Sequence, residues 1–516
     1  MDADNAADAP PVDVAARLRR TASQRPDHPA IVWHEGQRTY EQLHDRVEAA
    51  TAALQRLGVG PGDRVALVLG TTPTFVEAAL AVLRAGAAMV PLLPGLAPDE
   101  LRFALADSGA VAAVAGQERA ATIGDLRADL PDLGHLVTDG VDVAGAPSWD
   151  TLVAAAGEPT AVERDPDSLA ALVYTSGTTG KPRGAMLTRR NLAANQDQSL
   201  AGRFHVGPDD VVLLVLPLSH IYSLNVGLGA CTTAGATMVL VERFEPRDTL
   251  ATIERERVSV LLGTPAMYVA WLESGLLSEA DLSALRLAVS GAAPLPIQVL
   301  HRFADVTGIV IEEGYGLTEA SPSVSSNSMG GEPRPGSVGL PLPGMEMRLV
   351  GDDGADVVRG DPGEVWVRGP NVFQGYWNDP EATAAALTPD GWLRTGDIGT
   401  QDGDGYLYLV DRRGDVIIVN GFNVYPREIE RVLLSFPGIA QAAAIGVPHT
   451  LTGEAVVAYV VPQVGESIDR DALTAHCREH IARYKCPNRI EVVDALPYTA
   501  TGKVRRVDLR SWSADA

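Results

Sequence analysis

The sequence has very little lysine. Only three of its 42 lysine and arginine residues are lysine, namely Lys181, Lys485 and Lys503. Lysine places a compact point charge on a flexible stem, which suits a single phosphate oxygen, whereas arginine is a planar fork. Lys181 and Lys503 both directly follow a glycine in segments rich in threonine. Lysines that remained by chance in an arginine-rich chain would more often lie on solvated faces. The placement of Lys181 and Lys503 therefore favours phosphate binding.

Cysteine is also scarce, and long apolar runs are absent. Cys231, Cys477 and Cys486 are too few and too scattered for a disulfide framework or a zinc site, which indicates a reducing compartment. The densest apolar runs, such as residues 211–216, are far shorter than the roughly 20 residues that span a bilayer. The N-terminal residues have no basic stretch and no apolar core, so no signal peptide is expected. We therefore expect a cytoplasmic protein without a transmembrane segment.

Positive charge is in deficit over the whole chain. The formal net charge is −24 over 516 residues, which argues against a nucleic-acid partner or an anionic membrane surface. Single loops of an acidic protein can still bind phosphate. The 46% apolar content is ordinary for a globular protein and suffices for several cores.

The texture of the sequence changes twice, which predicts the domain organisation. Residues 1–12 are expected to form a disordered tail, and residues 13–411 a large domain. Short apolar strands alternate with amphipathic helices to about residue 310, which predicts an α/β fold of largely parallel sheets covered by helices. Glycine and proline become dense near residues 335–411, which predicts a β-rich, antiparallel or barrel-like subdomain. Residues 412–516 then predict a small α+β C-terminal domain, which we expect to be mobile.

One segment carries the strongest chemical signal. It reads Tyr174-Thr-Ser-Gly-Thr-Thr-Gly-Lys-Pro-Arg-Gly184 and follows a predicted buried strand. Glycine lets the backbone approach a ligand closely, and successive backbone N–H groups bind anions. Pro182 stands where a Walker loop needs a metal-binding serine or threonine, so this is another kind of phosphate loop.

Further segments follow in a fixed order along most of the chain. They are Gly314-Tyr-Gly-Leu-Thr-Glu319, Gly391-Trp-Leu-Arg-Thr-Gly-Asp397, Asp411-Arg-Arg-Gly-Asp-Val-Ile417, Gly421-Phe-Asn-Val-Tyr-Pro-Arg-Glu-Ile-Glu430 and Pro497-Tyr-Thr-Ala-Thr-Gly-Lys503. Together with the phosphate loop they resemble the motifs of the adenylate-forming superfamily, which contains acyl-CoA synthetases, adenylation domains of peptide synthetases and beetle luciferases. The resemblance is closest to fatty-acid or aryl acyl-CoA ligases.

The resemblance implies a two-step reaction and its cofactors. A carboxylate attacks the α-phosphorus of ATP to give an acyl-adenylate and pyrophosphate, and the thiol of coenzyme A then attacks the activated carbonyl. The first step develops charge at phosphorus, so electrostatic stabilisation should dominate, with Mg²⁺ as the hard cation. The expected partners are a small carboxylic acid, ATP and coenzyme A, and the oligomeric state stays open, with a homodimer as one option.

The resemblance also implies residue roles. The expected phosphate-binding residues are Thr175, Ser176, Gly177, Thr178, Thr179, Gly180 and Lys181. Glu319 and Thr318 should bind Mg²⁺, and Lys503 should stabilise charge between the α-phosphate and the attacking carboxylate. The expected adenine- and ribose-binding residues are Gly291, Ala292, Ala293, Glu313, Gly314, Tyr315, Gly316, Asp397 and Arg412. Glu364 also matches a family motif, and we interpret it as structural.

The acid should lie beside a histidine. The segment Leu216-Pro-Leu-Ser-His220-Ile-Tyr222 matches the border of the family's acyl pocket, and we assign His220 a gating or catalytic role there. Gly263, Thr264, Met267 and Tyr268 are expected to line the same pocket. No aspartate occurs in residues 217–225, so an amino acid substrate is not expected. Small and apolar neighbours favour an uncharged fatty, aryl or related acid.

The last assignments concern the acceptor and the hinge. Gly421, Phe422 and Asn423 should line the coenzyme A channel, and Gly414 stands where the family has a charged hinge residue. Lys485 could contact a coenzyme A phosphate or cap a helix end, and the structural interpretation is favoured. Two alternative functions remain: an acyl-AMP ligase that loads a carrier protein, and a nucleotide-binding module without catalysis, which the retained lysine and carboxylates oppose.

Overall fold

The chain folds into two compact units. The structure, a computed structural model, describes residues 14–142, 145–175, 182–202, 205–419, 422–449, 452–499 and 503–514. The first unit contains the described residues of Met1–Pro335, Gly339–Glu346 and Arg368–Leu393, and the second those of Gly336–Val338, Met347–Val367 and Arg394–Ala516. The tail predicted at residues 1–12 lies outside the described residues. The predicted boundary at residue 411 remains a prediction.

Helices alternate with strands through most of the first unit, and three further helices, which begin at Pro426, Arg470 and Arg506, belong to the second unit. The helices are α1 (Val14–Gln24), α2 (Tyr40–Arg56), α3 (Pro73–Arg84), α4 (Pro98–Ser108), α5 (Gln117–Leu126), α6 (Trp149–Ala154), α7 (Arg189–Leu200), α8 (Ala230–Ala234), α9 (Pro246–Arg255), α10 (Pro265–Ser274), α11 (Ile297–Thr307), α12 (Pro380–Ala386), α13 (Pro426–Leu434), α14 (Arg470–His480) and α15 (Arg506–Ala514). A π-helix spans Tyr222–Gly229, and short 3₁₀ turns lie at Arg127–Asp129, Thr318–Ala320, Asn327–Met329, Arg413–Asp415 and Arg483–Lys485.

The strands follow the same order along the chain. They are β1 (Pro29–Trp33), β2 (Gly36–Thr39), β3 (Arg64–Val68), β4 (Ala88–Pro91), β5 (Ala112–Gly116), β6 (His135–Asp139), β7 (Leu169–Thr175), β8 (Arg183–Thr188), β9 (Val211–Leu214), β10 (Thr237–Leu240), β11 (Val260–Gly263), β12 (Leu287–Ser290), β13 (Ile311–Gly316), β14 (Ser323–Ser326), β15 (Leu340–Pro341), β16 (Glu346–Val350), β17 (Gly363–Arg368), β18 (Leu393–Gln401), β19 (Leu407–Arg412), β20 (Ile417–Val419), β21 (Phe422–Val424), β22 (Ile439–His449), β23 (Gly453–Pro462) and β24 (Arg489–Val492).

Local sequence explains where several helices begin. Thr39 caps α2 in a capping box, because its side chain accepts from the Gln42 backbone N–H while the Gln42 side chain accepts from the Thr39 backbone N–H. The Asp379 side chain accepts from the Ala382 N–H at 2.8 Å and so caps α12, which has Pro380 in its first turn. In both helices a side-chain oxygen therefore accepts from a backbone N–H that has no partner within the helix.

Two mainly parallel sheets form the centre of the first unit, as predicted. The six-stranded sheet has the order β6-β5-β3-β4-β7-β8, in which only β7 and β8 pair antiparallel. The nine-stranded sheet has the order β15-β14-β13-β12-β11-β9-β10-β1-β2, with parallel pairing from β13 to β1. Their central strands are buried and apolar, as expected for sheets covered on both faces.

The second unit contains two smaller sheets. Strands β16 to β19 form a four-stranded sheet in that order, which corresponds to the β-rich segment of the sequence. A five-stranded sheet of β20 to β24 packs with α13 and α14 around a core that includes Ile429, Leu433, Val456 and Leu473. The predicted α+β character of residues 412–516 is confirmed. Within the described ranges, no helix is long and apolar enough to cross a membrane.

Candidate active site

The nine-stranded sheet reverses its strand order at β9. The chain passes from β9 to β10 on one side of β9 and then returns to β11 on the other side. In open α/β sheets, ligands bind outside the carboxyl ends of the strands at such a switch point. The residues that follow β9, β11, β12 and β13 are therefore the place to look for a site.

Residues predicted to bind two different substrates meet at this edge. Gly263 at the end of β11 pairs in register with Ser290 at the end of β12, and Ser290 pairs with Glu313 on β13. Gly263 belongs to the predicted acid pocket, whereas Glu313 belongs to the predicted nucleotide segment. Neighbouring strands are about 4.8 Å apart, so the two predicted subsites are contiguous.

The adenine segment has an unusual backbone. Gly291 donates its N–H to the Gly263 carbonyl at 3.2 Å, and Ala292 next to it has a φ of +67°. Positive φ is rare for residues other than glycine and clusters at functional sites. On β13, Tyr315 is buried, and a Cβ on Gly314 would lie 3.2 Å from the Ser325 carbonyl oxygen. Gly316 and Ala293 lie at the same sheet edge.

His220 lies in the turn between β9 and the π-helix. Its backbone N–H donates to the Pro217 carbonyl at 2.9 Å, and its Nδ1 accepts from the Tyr222 backbone N–H at 3.3 Å. When the ring is neutral, an accepting Nδ1 places its proton on Nε2. Tyr222 begins the π-helix, a rare conformation that frequently occurs at functional sites.

Two tyrosine rings explain the glycines at the strand ends. A Cβ on Gly263 would lie 3.0 Å from the Tyr268 ring, and one on Gly291 would lie 3.2 Å from the Tyr222 ring. Tyr268 donates its hydroxyl to the Val289 carbonyl at 2.8 Å. Tyr268 and Met267 belong to the hydrophobic core, and Thr264, also buried, precedes α10. These predicted pocket residues are therefore packed beneath the strand ends.

Within the part of the chain that the structure describes, three buried hydroxyl groups at this edge lack a hydrogen-bond partner, unlike the Tyr268 hydroxyl. Ser219 Oγ, Tyr222 Oη and Ser290 Oγ are buried and have no hydrogen-bond partner among the described residues. Burial raises the pKa of Tyr222, so its hydroxyl stays protonated and able to donate. The sequence analysis did not single out these hydroxyls, because a sequence pattern does not show whether a hydroxyl has a hydrogen-bond partner.

The predicted metal ligand is part of a hydrogen-bonded pair. Glu319 lies in the 3₁₀ turn Thr318–Ala320, and its Oε1 accepts from the Tyr376 hydroxyl at 2.7 Å. Burial and the neighbouring Glu319 carboxylate raise the pKa of Tyr376, which therefore remains a donor. Thr318 is half-buried beside Glu319. Sequence reasoning missed Tyr376, which lies 57 residues away in the chain.

The phosphate loop connects the antiparallel pair β7 and β8. Thr175 at the end of β7 pairs with Arg183 at the start of β8, and its hydroxyl donates to the Arg183 carbonyl at 3.4 Å. Residues 176–181, which include the predicted Ser176, Gly177, Thr178, Thr179, Gly180 and Lys181, lie outside the described residues. Thr175 and Arg183, which flank the loop, therefore lie side by side.

In the second unit, strand pairing brings the predicted ribose residues together. Asp397 on β18 pairs in register with Arg412 on β19, and Asp397 is 4% exposed. Glu364 Oε1 accepts from the Gly396 backbone N–H at 3.2 Å, directly before Asp397. This contact supports the structural interpretation of Glu364. Of Arg412 only the backbone is described.

Lys503 is exposed, and its backbone is hydrogen-bonded to Thr499. Its N–H donates to Thr499 Oγ1 at 3.0 Å, and Thr499 N–H donates back to the Lys503 carbonyl at 2.7 Å. The neighbouring residues Tyr498 and Val504 form an antiparallel bridge. The backbone that presents Lys503 is therefore fixed on both sides.

Gly414 of the predicted hinge and Phe422 of the predicted coenzyme A channel are both exposed. A Cβ on Gly414 would meet nothing within 4 Å. Phe422 is 57% exposed, and its ring lies 4.9 Å from the Tyr484 ring. Gly421 and the side chain of Asn423 lie outside what the structure describes.

The third lysine, Lys485, lies next to Tyr484 and forms an ion pair. Its Nζ lies 2.8 Å and 2.7 Å from the two oxygens of Glu428. Both side chains are only partly exposed. This pairing accords with the structural interpretation of Lys485.

Comparison with known proteins assigns the chain to a family. The model of the AMP-binding enzymes matches residues 18–377, and the model of the AMP-binding enzyme C-terminal domain matches residues 428–503. The chain belongs to the AMP-binding enzyme family. The predicted adenylate-forming chemistry and the acid–thiol ligase class are confirmed.

Individual relatives are similar over nearly the whole chain. A feruloyl-CoA synthase from Amycolatopsis sp is 40% identical, with 94% of this chain and 96% of that protein covered. A 3-[(3aS,4S,7aS)-7a-methyl-1,5-dioxo-octahydro-1H-inden-4-yl]propanoyl:CoA ligase from Mycobacterium tuberculosis is 39% identical, with 96% and 98% covered. The crystal structure of ATP-bound MatB from Rhodopseudomonas palustris matches with a TM-score of 0.92 and 34% identity, covering 98% of this chain and 99% of that one.

Proposed function

We propose that the chain activates a carboxylic acid with ATP and transfers the acyl group to coenzyme A. A carboxylate oxygen attacks the α-phosphorus of ATP, and the bond to the bridging oxygen breaks so that pyrophosphate leaves. The thiol sulfur then attacks the acyl carbonyl carbon and loses its proton, and AMP leaves with the electron pair of the broken acyl–oxygen bond. Family membership and the CoA-ligase relatives support both half-reactions.

The alignment of strand ends is the observation that carries this proposal. Gly263, Ser290 and Glu313 lie side by side at the switch point of the nine-stranded sheet. A carboxylate held beside β11 and β12 is therefore next to a phosphate held beyond β13. Holding both reactants in this geometry lowers the entropic part of the barrier.

The residues at this edge suit magnesium. Mg²⁺ usually binds through one or two carboxylates together with substrate phosphates and water, rather than in a cage of protein ligands. Glu319 offers one carboxylate with Thr318 beside it, and within the described ranges no group of three or more histidine, cysteine, aspartate or glutamate residues could hold a metal ion. We assign Mg²⁺ to Glu319 and Thr318, where it would neutralise charge on the phosphates. Asp397 would accept from the ribose hydroxyls, and Lys503 would stabilise charge at the α-phosphate.

The unpaired hydroxyls bear on the kind of acid. A buried hydroxyl without a partner is costly, and a bound ligand can supply that partner. Tyr222 and Ser290 could together bind an oxygen substituent on an otherwise apolar acid. The names of the two relatives describe acyl groups that carry oxygen substituents, which accords with this assignment. We therefore propose an aryl or alicyclic acid with a hydroxyl, ether or carbonyl group as the substrate, ahead of a plain fatty acid.

A panel of matched acids tests the reaction and the acid together. Cinnamic acid is compared with para-hydroxycinnamic acid, and decanoic acid with ω-hydroxydecanoic acid, by acid-dependent pyrophosphate exchange. We expect the oxygenated member of at least one pair to have the higher kcat/KM. Tyr222→Phe should reduce that preference by roughly tenfold, the effect of losing about one hydrogen bond.

Tyr40→Phe is the matched control for this variant. The Tyr40 hydroxyl is buried like that of Tyr222, but it donates to the Ala236 carbonyl at 2.8 Å. Its loss should lower Tm without changing the preference, whereas Tyr222→Phe should not lower Tm. An unchanged preference in Tyr222→Phe would contradict the acid assignment, and the absence of exchange with every acid would contradict adenylation.

The acceptor is tested in the same assay. ATP-to-AMP turnover is measured with free coenzyme A and with a phosphopantetheinylated carrier protein. Faster turnover with coenzyme A is expected, because residues 411–430 contain no evident extra insertion for a protein partner. Preference for the carrier would favour the acyl-AMP ligase alternative. A homodimer stays a prediction, which light scattering would test.

A further inference from the structure

Tyr376 contacts the proposed magnesium ligand directly. Its hydroxyl donates to Glu319 Oε1 at 2.7 Å, and both side chains are partly buried. The backbone is joined at the same place, because Phe373 N–H donates to the Glu319 carbonyl at 2.9 Å. Among the described residues, Glu319 Oε2 accepts no hydrogen bond. One carboxylate oxygen is therefore held by the protein, and the other can face a cation.

The same segment pairs with the strand that leaves the phosphate loop. Met186 N–H donates to the Gly375 carbonyl at 3.0 Å, and Gln374 N–H donates to the Met186 carbonyl at 3.0 Å. Trp377 N–H donates to the Gly184 carbonyl at 2.8 Å. Residues 373–377 thus connect β8 with the turn that carries Glu319, in one continuous set of hydrogen bonds.

Helix α12 fixes the position of this segment. Tyr376 N–H donates to Thr383 Oγ1 at 2.9 Å, and a Cβ on Gly375 would lie 2.5 Å from the Thr383 side chain. Gly375 has a φ of +131°, so both its backbone and its space require glycine. The Arg183 guanidinium lies 5.6 Å from the centre of the Tyr376 ring and 3.4 Å from Asp379. The ring is therefore held on more than one side.

We propose that Tyr376 is a positioning residue that orients the Glu319 carboxylate for Mg²⁺·ATP and keeps it in register with the exit strand of the phosphate loop. This inference rests on the proposed function, since it assumes that Glu319 binds the metal. Carboxylates that ligate metals are themselves usually hydrogen-bonded, and loss of such a partner costs about 10- to 100-fold in metal affinity or activity. Tyr376 would act through Glu319 and would not touch the reacting atoms.

Calorimetry of nucleotide binding tests this role without turnover. A non-hydrolysable ATP analogue is titrated into the wild type and into Tyr376→Phe, once with Mg²⁺ and once with EDTA. Tyr376→Phe should weaken binding of the Mg²⁺ complex at least about tenfold, while binding in EDTA stays within about twofold. A purely structural role would weaken both equally, because a displaced loop would lose phosphate contacts in either condition.

Tyr408→Phe is the matched control. The Tyr408 hydroxyl also donates to a carboxylate, Asp402 Oδ2, at 3.3 Å, but it belongs to the β19 edge of the second unit. This variant should bind the analogue like the wild type in both conditions. A loss of Mg²⁺-dependent binding in Tyr408→Phe equal to that in Tyr376→Phe would overturn the assignment.

A double-mutant cycle supplies the second measurement. If Tyr376 acts through Glu319, then Tyr376→Phe in a Glu319→Gln background should add less than about twofold to the loss of Mg²⁺·analogue affinity. Additive losses would overturn the inference. Failure of the wild type to bind the analogue at all would instead overturn the proposed function, and the inference with it. Normal wild-type binding with an unchanged Tyr376→Phe variant would overturn the inference alone.

Discussion

The two units present their predicted site residues in different ways. In the first unit, Glu313 and Tyr315 are buried on β13, which pairs in parallel with β12. In the second unit, Lys503 and Phe422 are exposed, and Gly414 has free space around its Cβ position. Asp397 is the exception, because it is buried on β18 beside Glu364.

This difference has a physical meaning for the proposed reaction. Residues that bind a substrate throughout both steps gain from a rigid support, because their geometry is then fixed before binding. Residues that act in only one step must be able to arrive and leave, and exposed turns allow this at little cost in packing. The second unit therefore combines a buried residue predicted to bind the ribose, Asp397, with exposed residues predicted to act in single steps.

The largest expected effect concerns Lys503. If Lys503 stabilises charge only during adenylation, Lys503→Ala should slow acyl-adenylate formation by roughly 100- to 1000-fold, as when one preorganised electrostatic contact is lost. Thioester formation from a preformed acyl-adenylate should proceed at nearly the wild-type rate. Single-turnover kinetics of the two half-reactions provide the measurement.

The exposure of Lys503 makes this variant a clean test. Removal of an exposed side chain leaves no cavity, and the hydrogen bonds to Thr499 use the backbone of Lys503, which alanine retains. Wild-type unfolding behaviour is therefore expected. Equal losses in both half-reactions would show that Lys503 does not act in adenylation alone, and would contradict the prediction.

The sequence motifs that predict the site residues coincide with strand ends. Residues 263–264, 291–293 and 313–319 are predicted as site residues from the sequence, and the sheet order places the ends of β11, β12 and β13 side by side. The order of strands could not be read from the sequence, since it depends on which edge each crossover joins. Motif spacing therefore predicted the residues, and only the fold showed their contiguity.

Contacts between distant segments were beyond sequence reasoning for a different reason. Tyr376 and Glu319 are 57 residues apart, and no period or motif joins them. The Tyr222 hydroxyl is buried without a hydrogen-bond partner among the residues that the structure describes. This property depends on how distant segments pack around the hydroxyl, so it cannot be read from the sequence. The end of α14 is likewise set by packing: the helix ends at His480, and Ile481 turns to extended backbone and buries its side chain in the core.

The second prediction concerns the hinge. Proline at position 414 fixes φ near −65°, so Gly414→Pro should hinder rotation at residues 411–415 if these form the pivot between the half-reactions. We expect pyrophosphate exchange to stay within about threefold of the wild type while thioester formation slows at least about tenfold.

Gly414→Asp is the matched control for the proline variant. A side chain at this position meets nothing within 4 Å, so aspartate should be tolerated in both half-reactions. Intact thioester formation in Gly414→Pro would place the pivot at another residue. Equal damage from aspartate would show that the position needs glycine for a reason other than rotation.

The smallest expected effect concerns Lys485, which sharpens the comparison within the second unit. Its Nζ contacts both oxygens of Glu428 at 2.7 Å and 2.8 Å, so its charge is already compensated by the protein. Partly exposed pairs of this kind contribute up to about 1 kcal/mol to the free energy of unfolding. Lys485→Ala should therefore lower Tm slightly and change the KM for coenzyme A by less than about twofold.

Glu428→Gln is the matched control. Because Lys485→Ala leaves Glu428 unpaired, Glu428→Gln should lower Tm by a similar amount, and the double variant should lower Tm little further than either single variant. A tenfold rise in KM for coenzyme A at unchanged Tm would instead make Lys485 a phosphate-binding residue, like the proposed roles of the other two lysines.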